Sequence, residues 1–200
     1  MLREMGTEGR LKAYLLPNNI GVARARNAHW HECVGNDAIK IDDKVKMLSS
    51  GWLTTCKVQS EMYHSLIGFP YDPTVHYLYR IAPLLDYIDY GGNHEEGEGG
   101  PMTYVPAEVS KELGAWDELP GCLYGWEEIL YNHRARLIGW QYGFSLRIPH
   151  KILASASPKG REHAMAHHAT HMRLYEEYKN GDRDLYIDPK QTEGYLSCVS

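Results

Sequence analysis

The stretch GWEEILYNHRARLIGWQYGFSLR, residues 125–147, decides how this chain is read. At about 100° per residue, Trp126, Ile129, Leu130, His133, Leu137, Trp140 and Phe144 fall on one apolar stripe. Another side carries Ala135, Gly139 and Gly143, a small-x-x-x-small ridge that lets a second backbone approach closely. Glycine inside a helix costs about 1 kcal/mol relative to alanine, so two of them need a packing reason. The stretch predicts a central helix gripped on two sides, with Ala135, Gly139 and Gly143 as its interaction ridge. The alternative is that Gly139 and Gly143 mark a kink or an earlier helix end.

The same period recurs outward from this element. Upstream, Pro106 can start a helix that places Val105, Val109, Leu113 and Trp116 on one face. Asp37 can cap another, with Ile41, Val45 and Leu48 at helical spacing until Ser49-Ser50-Gly51 breaks it. A further helix follows, turning Trp52, Cys56 and Met62 or Tyr63 inward. Downstream, Pro149 and Pro158 bracket an irregular link, and a helix from there to about Lys179 ends at Asn180-Gly181. Period-2 strands are scarce. The expectation is a mainly α, irregular helical fold with extended N- and C-terminal arms and a glycine-rich loop. Its parts are an N-terminal arm (1–27), a helical region (28–90), a Gly/Glu-rich loop (91–101), a second helical region (102–181) and an extended tail (182–200).

Composition narrows the function classes. Two hundred residues with 43% apolar and 24% charged side chains fit an ordinary globular chain. The 21 basic against 26 acidic residues give a net charge of −5, which disfavours a nucleic-acid partner. No apolar run approaches the roughly 20 residues that span a bilayer. Fifteen Tyr and five Trp against two Phe favour partly wet protein interfaces. Cys33, Cys56, Cys122 and Cys198 lie far apart, without the close pairs of a zinc finger or a thioredoxin-like motif.

Three groups invite a chemical reading. His163, His167 and His171 recur at i, i+4 and i+8, so neighbouring imidazoles share one helix face. Three successive turns cannot converge on one ion, so the run offers at most a pair and needs a third ligand from elsewhere. His29, His31 and Cys33 point one way if their segment is a strand. Glu95, Glu96 and Glu98 lie in a glycine-rich stretch that cannot fix them for acid–base work. These histidines and Cys33 are read as a hydrogen-bonded or solvated face, with no metal, no cofactor and no catalytic residue expected.

Leu119-Pro120, Leu130-Tyr131-Asn132-His133-Arg134, Ile138, Leu146-Arg147 and His150-Lys151-Ile152-Leu153 resemble the matrix-side 14-kDa subunit of the mitochondrial cytochrome bc1 complex. The resemblance implies an all-helical, cofactor-free, non-catalytic subunit resting on a membrane-embedded core at the matrix side. The resulting expectation is an accessory subunit of a large multiprotein assembly, most readily a respiratory-chain complex, with other subunits as partners and no transmembrane segment of its own. A His-dependent metalloenzyme and a virion structural protein are the alternatives.

Overall fold

The computed structural model describes residues 19–69, 87–89, 100–119, 122, 125–153 and 158–190. The first 18 residues of the N-terminal arm, the loop 91–99 and the tail beyond residue 190 lie outside them. Elements are numbered in chain order. They are α1 (Val22–Trp30), β1 (Ala38–Ile41), β2 (Val45–Met47), α2 (Trp52–Tyr63), β3 (Ser65–Gly68), β4 (Tyr87–Asp89), β5 (Met102–Val105), α3 (Ala107–Leu113), α4 (Glu127–Leu137), β6 (Gln141–Ser145), β7 (His150–Ile152), α5 (Pro158–Ala166) and α6 (His168–Asn180).

This is an α/β fold, not the mainly α one expected. A five-stranded sheet runs in the order β1-β5-β3-β6-β4, and β2 pairs with β7 in a separate two-stranded sheet. Only β3 and β6 pair in parallel, Ser65 opposite Gln141 through Gly68 opposite Phe144; the other described pairings are antiparallel. The strands escape a periodicity reading because both faces of the sheet are covered, which removes the polar–apolar alternation. Every residue of β3 and β5 is buried. On one face Leu66, Val105, Tyr142 and Phe144 pack with Trp30, Val109, Leu113 and Tyr131. On the other, Ile67, Met102 and Tyr104 meet Cys56 of α2, with Val45, Met47 and Ile152 of the small sheet against them.

The central helix is half the length expected. It ends in a Schellman motif: Trp140 N–H donates to the Ala135 carbonyl and Gly139 N–H to that of Arg136, both at 3.0 Å. Gly139 has φ +91°. The apolar spacing beyond it is coincidental, because Trp140 begins the turn into strand β6. Ala135 is buried in the core, Gly139 sits in the turn, and Gly143 pairs with Ile67 within the sheet. The three therefore share no helix face. Residues 38–47 likewise form strands, and Asp37 caps α3 instead, its Oδ1 accepting the Ala107 N–H at 3.1 Å. The helix expected over 158–180 is broken at His167, whose φ of −102° and ψ of 5° leave the helical range.

Between α3 and α4 an irregular ribbon, Gly114–Glu118, continues from the end of α3 through the interior. Asn27 pairs with Trp116 as a strand would, donating to its carbonyl and accepting its N–H, both at 2.9 Å. Arg134, fully buried, donates to the carbonyls of Leu113 (3.0 Å), Ala115 (2.6 Å) and Leu185 (2.7 Å). Its Nε lies 3.1 Å from Asp117, and Tyr178 donates to the other Asp117 oxygen at 2.5 Å. Ile187 adds a bridge to Gly114, where a Cβ would come within 2.0 Å of the Ile187 carbonyl oxygen.

Two predictions follow from these contacts. Since nothing lies within 4 Å of a Cβ at Gly139, Gly139→Ala and Gly139→Leu should both cost about 1–2 kcal/mol, the price of a left-handed L-residue. A much larger loss for leucine in urea titrations would restore a packed ridge. Arg134→Met should cost about 4 kcal/mol by stranding Asp117, whereas Arg173→Met, at an exposed pair with Glu177, should cost under about 0.5 kcal/mol.

Candidate metal centre

Among the described residues, Cys122, His163 and His167 bring their ligating atoms within 4.8 Å of one another. The two histidines are one turn apart, and their rings lie 5.0 Å apart between centroids. Cys122 arrives from the loop before α4. Two contacts hold that loop against α5. The Trp126 indole N–H donates to the Ala164 carbonyl, and Gly125, at φ +93°, lies so close that a Cβ would sit 2.8 Å from the Ala164 Cβ. Ala164 stands between the two histidines in sequence, so the loop is pressed against their segment of helix. The Cys122 thiol donates to the Gly125 carbonyl at 3.7 Å.

All three side chains are half-buried, neither sealed in the core nor free in solvent. A thiolate at about 2.3 Å and imidazoles at about 2.0–2.1 Å from a tetrahedral zinc stand about 3.5 Å from one another. The observed separations, all within 4.8 Å, are at most about an ångström longer than that spacing. The donor set, one soft sulfur and two imidazoles, suits Zn²⁺ and excludes the oxygen-loving Mg²⁺ and Ca²⁺.

The third ligand is what a sequence reading lacked. The histidine pair was legible from its i, i+4 spacing, but Cys122 is too distant in the chain to be joined to it without the fold. His171 belongs elsewhere: it is fully buried and stacks on Trp126 at 4.3 Å and 14°. The other candidate trio does not assemble. His29 lies in the last turn of α1, His31 caps it, and Cys33 is in the turn that follows. No strand is present to align them. Burial lowers the affinity of His29 for a proton, with Glu32 partly opposing it. Burial likewise raises the Cys33 thiol, with Glu32 adding to the rise, so Cys33 is an unreactive thiol packed on the core.

A second cluster went unread in the sequence. Glu127 and Glu128 open α4, where the helix dipole favours acids, and both are buried. Arg26 reaches Glu127 at 3.2 Å and Glu128 at 3.0 Å. Lys40 contacts Glu128, Asp42 at 2.9 Å and the Gly100 carbonyl at 2.7 Å. The carboxylates are thus held by cations from α1 and β1 and tie three elements together. Burial raises the Glu127 carboxyl despite Arg26, and neighbouring Glu128 adds to the rise.

Compared with protein-family models, with curated proteins and with solved structures, the chain matches none of them. The segment 119–153 that resembles the bc1 subunit contains β6 and β7, so the all-helical fold which that resemblance implies is not the fold found here. No helix among the described residues is long and apolar enough to cross a membrane.

A raised carboxyl stabilises the fold at low pH, and that contribution is lost as pH rises through the folded-state value. Glu127→Gln should therefore gain stability relative to wild type between about pH 4.5 and 7.5. Glu128→Gln, which strips both Lys40 and Arg26 of their shared partner, should lose about 3 kcal/mol at neutral pH. Urea titrations of both variants at the two pH values measure this.

Proposed function

We propose that this chain is a transition-metal-binding protein that takes one Zn²⁺ through Cys122, His163 and His167. The observation that carries the reading is the convergence of three soft-to-borderline donors from two separate segments, within 4.8 Å. Three protein ligands leave a fourth tetrahedral position for water or an incoming ligand. No carboxylate belongs to the cluster among the described residues, so the chemistry offered by these side chains is ligation. Binding fastens the loop before α4 to α5, a structural duty compatible with a non-catalytic accessory protein.

A second reading, the accessory subunit of a larger assembly, is favoured by one surface. Helix α2 exposes Val58 and Met62, one turn apart on the same face, at 48% and 67%, and apolar side chains exposed together in this way are partner material. Co-purification of the tagged chain from its native source tests it: recovery as a free monomer removes that reading.

For the metal reading, titration of the metal-free protein with zinc should give one site per chain. Cys122→Ser and His167→Ala should each weaken it by about 100-fold or more, beyond what outer-shell changes cost. Zinc must displace the thiol proton, so affinity should fall with falling pH. Zinc binding that survives the triple exchange of Cys122, His163 and His167 removes the assignment.

A further inference from the structure

We infer that α5 is a metal-dependent element: zinc at Cys122, His163 and His167 seats it, and Trp126 passes that seating to the start of α4. The inference rests on the metal reading above. None of the described side chains of α5, from Glu162 to Ala166, is buried, and Met165 is 59% exposed. The neighbouring α6, by contrast, buries His171, Leu174, Tyr175 and Tyr178. A nine-residue helix is too short to persist in water by itself, and none of the described side chains of α5 supplies a buried apolar anchor. The described contacts to the loop before α4 are the Trp126 N–H bond and the close approach at Gly125.

Zinc discriminates between the two positions of α5. Seated, α5 brings His163 beside Cys122 and His167, which lies at the junction with α6; released, it takes His163 out of that group. A ligand shifts an equilibrium only by its differential affinity for the two states, and a three-ligand site against a two-ligand one provides it. As the Cys122 sulfur bonds to Zn²⁺, its proton leaves to solvent and its thiol bond to the Gly125 carbonyl is given up. No electrons change hands.

The transmission runs through an unusual residue. Trp126 has φ +71°, a left-handed conformation that a bulky side chain adopts only when its surroundings impose it. Its surroundings include the Ala164 carbonyl on α5, the His168 and His171 rings on α6 and the core cluster of Leu119, Leu130, Leu174, Tyr175 and Tyr178. It is also the residue that precedes Glu127, whose helix-opening position carries the buried ion cluster. When α5 leaves, Trp126 keeps its ring contacts with α6 but loses the partner of its N–H, and the first turn of α4 loosens.

Hydrogen exchange of the full-length protein, metal-free and with zinc added, tests this. Zinc should slow exchange about tenfold over both 162–166 and 126–130, and Cys122→Ser should abolish the slowing at both. In Trp126→Phe, which keeps a ring but no N–H donor, the slowing over 162–166 should persist and that over 126–130 should shrink. Calorimetric zinc binding with unchanged exchange at both segments overturns the inference while leaving the metal reading intact. Slowing at 162–166 alone in the wild type removes the role of Trp126, and no zinc binding at all removes both.

Discussion

The interior ribbon Gly114–Glu118 is the constraint around which the fold is arranged. A chain segment that is buried yet neither helix nor strand must find partners for its peptide groups away from water. Here they come from α1 through Asn27 and Trp30, from α4 through Arg134, and from Ile187 near the described C-terminal end. Arg134 is the natural choice because a guanidinium offers several donors in one plane, serving three carbonyls and Asp117 together. Its charge is tolerable in the core only because Asp117 is beside it and Tyr178 in turn holds Asp117. The ribbon therefore dictates where α1, α4 and α6 meet.

Helix α4 joins the structural and chemical parts of the molecule. Its last turn carries Arg134 and releases the chain into the sheet through Gly139, and its first turn carries Glu127 and Glu128 into the ion cluster with Arg26 and Lys40. Just before it, Trp126 and Cys122 face α5 and the histidine pair. The ion cluster and the Cys122, His163 and His167 group thus flank a single helix start.

The sequence made some of this legible and hid the rest for identifiable reasons. The end of α6 at Asn180-Gly181 could be read because a left-handed glycine cap leaves a local signature; the same signature at Gly139 was outweighed by apolar residues that fit a helical period past it. Strands β3 and β5 could not be read by alternation, since sheet faces covered on both sides carry apolar residues at successive positions. The pairing of His163 with His167 is a matter of helix geometry and was visible. Cys122, Arg26 and Lys40 enter their clusters only through tertiary contacts, which spacing cannot encode. Asp37 was recognised as a cap, but for the segment following it instead of for α3 across the fold.

The parallel pairing of β3 with β6 has a consequence for the way the chain reaches this state. Strand β3 lies between β5 and β6 in the sheet, yet one of its neighbours is synthesised only after most of the molecule has been made. Its four buried residues must wait, with an unpaired edge, for a partner far downstream. Non-local pairing of this kind closes large loops before it gains contacts, which slows folding and lengthens the life of partly formed states. A nascent chain released early, before Ser145 has emerged, thus carries an adhesive apolar strand, and chaperone dependence during synthesis is the natural companion of this topology.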